Sequence, residues 1–158
     1  QRQMCIRDRY KQDIIRKTDL LREKVTERLA ELSRDGFAGA VVDDLLKGGQ
    51  RTAQVDVSID QRSNITLVIA RGEDAVWVEF GAGVHYNGSA GTSPHPKGSE
   101  LGFTIGGYGK GMGKKDVWGF YEDGKLRLTH GAPATMPMYN AVKTVCDEIA
   151  EIAREVFQ

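Results

Sequence analysis

Several features that often reveal a protein's function are scarce in this sequence. The 158 residues include two cysteines, Cys5 and Cys146, too few for a disulfide framework, which favours a reducing compartment. Basic and acidic residues number 22 each, so the overall charge gives no attraction to nucleic acid or to an anionic membrane. No apolar run approaches the roughly 20 residues of a membrane span, and no signal-peptide pattern is present. These absences predict one soluble globular domain.

The first nine residues differ in character from the rest of the chain. They have neither an amphipathic period nor a turn pattern, and the stretch from Met4 to Arg9 looks like a translated sequencing adaptor fused to a truncated reading frame. We therefore expect residues 1–9 to be a non-native or disordered segment. Residues 10–158 are then expected to form a single domain.

Two amphipathic helices are predicted in the N-terminal third. Apolar residues between Tyr10 and Arg34 recur at steps of three, four and seven, with charged residues between them, as on a helix with one buried face. Asp35-Gly36 interrupts this pattern. A shorter helix from Phe37 to Leu46 is expected to follow and to end at Gly48-Gly49.

The apolar period then changes from helical to alternating. The odd-numbered residues of 55–59 and of 65–69 are all Val, Ile or Leu, and a polar turn separates the two stretches. This pattern predicts a first β-hairpin, with a half-buried strand and a returning strand that resumes the alternation. The segment 75–80 fits a short helix or a strand equally well, and its type stays open.

Most of the 19 glycines lie between residues 81 and 116, where apolar anchors are few. This composition predicts a long flexible loop, longer than the usual connection inside a compact domain, and such loops commonly carry function. A second hairpin is predicted after it, because Val117–Glu122 and Lys125–Thr129 flank Asp123-Gly124, a strong two-residue turn signal.

The last predicted element is a long helix that begins near Pro137, a residue suited to the first helical turn. Its apolar stripe comprises Val142, Val145, Ile149, Ile152 and Val156. Cys146 beside this stripe is expected to be a small core residue. The complete order predicts an α+β fold, in which an antiparallel sheet of two hairpins packs against an N-terminal helix pair and a long C-terminal helix.

Signals for catalysis or metal binding are weak. The run 109–115 lacks the leading glycine and the final Ser or Thr of a phosphate-binding loop. His85, His95 and His130 have no zinc-ligand spacing. Glu79 lies between apolar neighbours, where a structural hydrogen bond or an intersubunit ion pair is the favoured interpretation, and a hydrolase using Glu79 and His85 is the weakest hypothesis. We expect no enzyme activity, no cofactor and no bound metal.

Four lysines give the glycine-rich stretch a basic character: Lys97, Lys110, Lys114 and Lys115. Together with nearby aromatic residues they would allow contact with a nucleic-acid backbone. The competing interpretation is a solvated loop kept soluble by its lysines. A nucleic-acid-binding module is therefore the alternative function, and a loop facing a DNA channel would have the same composition.

Two short segments carry a resemblance to a known family. Residues 78–83, V-E-F-G-A-G, are similar to a V-E-F-G-T signature, and residues 131–141, G-A-P-A-T-M-P-M-Y-N-A, resemble a G-x-P-A-x-P-F-M-x-x-A entry into a last helix. With the order of elements over residues 10–158, they resemble the minor tail or neck (tail-completion) proteins of long-tailed bacteriophages. Ala82 replaces the usual threonine, Met136 is an extra residue, and Met138 stands where phenylalanine is common.

This resemblance implies a structural protein of the virion neck or tail, assembled in the cytoplasm of the bacterial host. Such a subunit would form a ring with copies of itself and contact other neck and tail proteins, with DNA passing through the channel and no membrane involved. A ring needs two different contact patches on each subunit. The interface candidates are Glu79, Phe80, Gly81, Pro133, Met136, Pro137, Met138 and Tyr139. The four lysines named above are the candidates for facing the DNA channel.

Overall fold

The computed structural model describes residues 2–46, 54–63, 65–72, 74–83, 85–86, 89–90, 93–101, 118–129 and 131–158. Over these residues the chain mixes helix and strand. Its elements are α1 (Arg2–Leu46), β1 (Asp56–Gln61), β2 (Thr66–Arg71), α2 (Ala75–Phe80), β3 (Ala82–Gly83), β4 (His85–Tyr86), β5 (Ser89–Ala90), β6 (Trp118–Glu122), β7 (Lys125–Thr129), β8 (Gly131–Ala132) and α3 (Pro137–Phe157). None of the helices described has both the length and the apolar content needed to cross a membrane.

The N-terminal region is one continuous helix, α1, so the predicted helix pair is wrong. A glycine inside a helix costs only about 1 kcal/mol relative to alanine, which packing on either side can offset. Gly36 has a different role, because a β-carbon there would lie 2.8 Å from Cβ of Pro137. The glycine thus lets α3 approach α1 closely. Residues 2–9 continue the same helix, and their non-native origin stays a prediction.

Helix α3 packs antiparallel against α1, as two ion pairs show. Lys24 Nζ lies 3.0 Å from Glu155, and Arg28, one turn further along α1, donates two hydrogen bonds of 2.9 and 3.1 Å to Glu148. Arg28 also donates to Glu31 on its own helix, at 2.9 Å. The hydrogen bonds from Arg28 lower the pKa of Glu148 below its ordinary value. These pairs lie along one side of the contact between the two helices.

The first strand pair covers the core side of α1. Strands β1 and β2 are antiparallel and place Val57 opposite Ala70. Opposite residues of a strand pair project to the same face. Val68 and Ala70 therefore share the face of Val57 and pack against the core that includes Phe37. The alternation of apolar residues over 65–69 therefore does not identify the core face of β2, which carries Val68 and Ala70. That stretch is apolar on both faces, so its pattern cannot fix the register, whereas the pairing with β1 does.

The segment left open by the sequence, 75–80, is the short helix α2. Part of the predicted glycine-rich loop has regular structure, because β3 pairs with β8 and β4 pairs with β5. Residues 84, 87–88, 91–92 and 102–116 of that loop lie outside the described residues. Strands β6 and β7 pair around Asp123 and Gly124, whose φ angles of 51° and 72° suit the tight turn. Over the described residues, β1–β2 and β6–β7 are separate two-stranded sheets.

The buried face of α3 differs from the predicted stripe. Ala141, Val145 and Val156 are buried, whereas Val142 and Ile149 are exposed. Cys146 is also exposed, so its predicted place in the core is wrong. The apolar arc of α3 is wider than one neighbouring helix can cover, and α1 takes only part of it.

Candidate functional site

A buried carboxylate lies where α2 meets the start of α3. Val78 and Glu79, in the last turn of α2, are both buried. Gly81 ends that helix with a φ of 80°, and its backbone N–H donates to the Trp77 carbonyl at 2.8 Å. A residue with a β-carbon would be strained in this conformation. Because α2 is short and ends at Gly81, Glu79 in its last turn is directed inward, towards α3.

The Glu79 carboxylate caps the N-terminus of α3. It accepts hydrogen bonds from the backbone N–H groups of Met138 (2.8 Å) and Tyr139 (2.9 Å), the second and third residues of that helix. Met136, at the N-cap position, makes no side-chain cap hydrogen bond. The first N–H groups of a helix have no partner within it, and its positive end favours an anion. Glu79 thus supplies from another element the cap that the local sequence lacks.

A buried histidine completes the contacts of this carboxylate. His95 Nε2 lies 3.2 Å from Glu79 Oε1, and its Nδ1 accepts a hydrogen bond of 3.0 Å from the backbone N–H of Lys97. This network assigns the ring proton to Nε2. The imidazole also lies against the rings of Phe80 and Tyr139, with centroids 4.3 and 5.3 Å away. Both ring nitrogens therefore have partners inside the protein.

The turn that carries His95 is itself tied to α2. Ser93 Oγ donates to the Phe80 carbonyl at 2.6 Å and accepts from the His95 backbone N–H at 3.2 Å. The Gly98 N–H donates to the His95 carbonyl at 2.8 Å. A β-carbon on Gly98 would lie 2.7 Å from Cβ of Ser93, so the turn closes only with glycine at this position. We call Glu79, Ser93, His95 and the N–H groups of Met138 and Tyr139 the Glu79 clamp.

A second set of contacts joins the same two parts of the chain. The Val78 carbonyl accepts hydrogen bonds from both the backbone N–H and the hydroxyl of Thr135, each 3.0 Å long. Just beyond, Ala82 pairs with Ala132 in the β3–β8 ladder. The segment 78–83 and the segment leading into α3 are therefore held together by side chains and by backbone.

A serine, a histidine and a carboxylate close together invite comparison with a hydrolytic triad. In such a triad a ring nitrogen takes the proton of the serine hydroxyl. Here the hydrogen bond from Ser93 Oγ goes to a backbone carbonyl, and both nitrogens of His95 bond elsewhere. The arrangement anchors backbone and does not activate the hydroxyl. Within the described part of the chain, no three His, Cys, Asp or Glu side chains are grouped to hold a metal ion.

The residues predicted from sequence fall into distinct environments. Glu79, Gly81 and Pro137 are buried, so they shape the surface and do not themselves offer it to a partner. Phe80, Met136 and Met138 are partly buried, whereas Pro133, Tyr139 and Lys97 are exposed. Lys110, Lys114, Lys115 and His130 lie outside the described residues, as does the side chain of His85 in β4.

Sequence reasoning missed Ser93 and the role of His95. The signal available was the spacing Ser93-Pro94-His95-Pro96, because two prolines fix φ on either side of the histidine and mark a rigid turn. Nothing in that pattern, however, identifies Glu79 as the partner of His95. That pairing depends on how α2 and the turn pack.

An open apolar groove runs beside the clamp, between α2, β2 and α3. Its volume is about 560 Å³, and its lining includes Ile69, Val76, Pro96, Tyr139 and Val142. The side chains of Val76, Tyr139 and Val142 are exposed to solvent there. The clamp fixes one wall of this groove, since it holds the first turn of α3 against α2.

No known protein family, curated protein or solved structure matches this chain.

Proposed function

We propose that this protein is a structural subunit of the head–tail junction or tail end of a tailed bacteriophage, and that it works by forming a ring. The observation that supports this most directly is the contact between the two family-like segments. Residues 78–83 and 131–141 are distant in the chain, yet Glu79 caps the helix that the second segment begins, and Thr135 binds Val78. The resemblance is therefore concentrated in one structural unit.

This unit is suited to presenting a surface. The clamp orders the turn before α3 inside the free subunit, which lowers the entropy cost of binding a partner. The groove beside it exposes Val76, Tyr139 and Val142, and a contiguous exposed apolar patch of this kind is typical of a protein–protein contact. In this proposal the protein is not an enzyme, since the polar groups of the clamp are occupied by structural hydrogen bonds.

The wider proposal concerns the ring and its channel. The groove and the segment 131–141 provide one patch, and a different patch of the next subunit meets it, as ring closure requires. The glycine-rich insert, 81–116, is proposed to face the channel. Lys97, Lys110, Lys114 and Lys115 would then lie near passing DNA. Other neck and tail proteins pack on the faces of the ring, in the virion neck or tail.

Light scattering after size exclusion tests the assembly. We expect a mass several times that of the 17.4 kDa subunit at high protein concentration. Val142→Glu should shift the protein to the monomer, because it places a charge on the exposed groove without disturbing the core. Lys143→Glu, the matched control on the adjacent exposed position, should assemble normally. A wild-type protein that stays monomeric at every concentration, alone and with neck-protein neighbours, would overturn the proposal.

A further inference from the structure

Helix α3 carries an uncovered apolar stripe next to the face that packs on α1. Tyr139, Val142, Cys146 and Ile149 follow one another at steps of three and four, which places them on one side of the helix. Tyr139, Val142 and Ile149 each expose between 39% and 46% of their surface, and Cys146 is exposed as well. We call these four residues the α3 stripe. Its N-terminal end opens into the groove beside the Glu79 clamp.

A second uncovered apolar face belongs to the hairpin β6–β7. Tyr121 is opposite Leu126, and Leu128 is the next residue but one on β7, so the three share one face of the ribbon. They expose between 57% and 77% of their surface. Lys125 and Arg127 alternate with them and therefore project to the opposite face. The hairpin is thus a two-sided ribbon, and its apolar side stays exposed among the residues that the structure describes.

The two faces match in length and in character. A five-residue strand spans about 17 Å, and the α3 stripe from Tyr139 to Ile149 spans about 15 Å. The docked face of the hairpin would bring no charged side chain into the contact, because Lys125 and Arg127 project to the far face, and interface cores are depleted of charge. The exposed side chains of the two faces would form the centre of the contact, within the ~800 Å² per partner that a stable interface buries. The rest of the contact would come from the groove walls.

We propose that the apolar face of the β6–β7 hairpin of one copy docks on the α3 stripe of the next copy. This inference rests on the proposed ring and identifies the two patches that meet in it. Both faces are exposed within one subunit, so each copy can offer its hairpin to one neighbour and its stripe to another. A symmetric contact between two α3 stripes would leave the hairpins uncovered and would close at a dimer, whereas the hairpin contact continues around a ring.

The natural thiol of Cys146 lies in the stripe and allows a direct test. The variant Leu128→Cys is made in a Cys5→Ser background and treated with a short bifunctional maleimide, which joins two nearby thiols. The protein concentration is one at which light scattering has already measured the mass of the assembly. Each copy then bears one reactive residue on each patch. We expect a ladder of cross-linked species beyond the dimer on a denaturing gel. Lys125→Cys, on the opposite face of the same hairpin, is the matched control and should give no ladder.

The outcomes separate the two proposals. A ladder from Leu128→Cys that disappears with Cys146→Ser supports hairpin docking. An assembled protein that gives no ladder, or that cross-links to dimers through Cys146 alone, overturns hairpin docking and leaves the ring proposal standing. If a different protein occupies the stripe, the subunit should stay monomeric until that protein is added. This result would also refute docking between copies. A protein that never assembles removes both proposals.

Discussion

Replacing Glu79 with glutamine tests whether a buried charge holds the start of α3. Glutamine keeps the shape but substitutes an NH₂ group for one of two oxygens that accept from the Met138 and Tyr139 N–H groups. One buried N–H then loses its acceptor. Since a hydrogen bond to a charged group contributes about 1.5–3 kcal/mol, Glu79→Gln should lower the free energy of unfolding by about 2 kcal/mol. Glu79→Ala removes both bonds and should lower it by about 4 kcal/mol.

Urea unfolding followed by helix circular dichroism measures these changes. With a dependence on urea of about 2 kcal/mol per molar, the midpoint should fall by about 1 M for glutamine and about 2 M for alanine. All variants need the same protein concentration, because assembly would stabilise the folded subunit. Glu151→Gln is the matched control, since it removes one negative charge from an exposed position of α3. Its change should stay within about 0.5 kcal/mol.

Hydrogen exchange gives a local measure of the same contact. The amides of Met138 and Tyr139 should exchange faster in Glu79→Gln than in the wild type, because their acceptor is removed, while amides in the middle of α3 change less. An unfolding midpoint equal to that of Glu151→Gln, with unchanged protection of those two amides, would show that the carboxylate does not hold the helix. The structural role assigned to the clamp would then be refuted.

Further predictions concern the close helix contact, the turn of the clamp and pH. Gly36→Ala should lower the free energy of unfolding by about 1–3 kcal/mol, because its β-carbon clashes with α3. Gly39→Ala is the matched control: nothing lies near its β-carbon, so it should raise the free energy of unfolding by up to about 1 kcal/mol. Thermal unfolding compares the two variants, and equal shifts would contradict the close contact between Gly36 and Pro137. Gly98→Ala should lower the melting temperature, because its β-carbon meets Ser93. Because its folded pKa is lowered, Glu148 stabilises the protein above its ordinary pKa of 4.5 and loses this effect as pH falls through the folded value. Glu148→Gln should therefore melt below the wild type at pH 7, and the difference should shrink as the pH falls below 4.5. A difference that does not depend on pH would refute the ion-pair contribution.

The sequence predicted elements better than it predicted which faces they bury. The long C-terminal helix beginning at Pro137 and the strand positions around 56–61 and 66–71 follow from local periodicity, since that pattern directly reflects helical and extended geometry. The break at Asp35-Gly36 was predicted from local turn preference, which the packing of α1 against α3 overrides. The apolar pattern of α3 likewise does not predict its buried face, because a wide apolar arc does not say which part another helix will cover.

Composition and periodicity by themselves determined that this chain mixes helix and strand, and its short motifs singled out two segments, 78–83 and 131–141. Only tertiary structure decided that these segments touch, that Glu79 accepts from the first turn of α3, and that His95 is the histidine beside it. The reason is physical: a helical period depends on neighbours three or four residues away, whereas a cap from another helix depends on two elements meeting in space. No local pattern encodes that meeting, so the site had to be found in the folded chain.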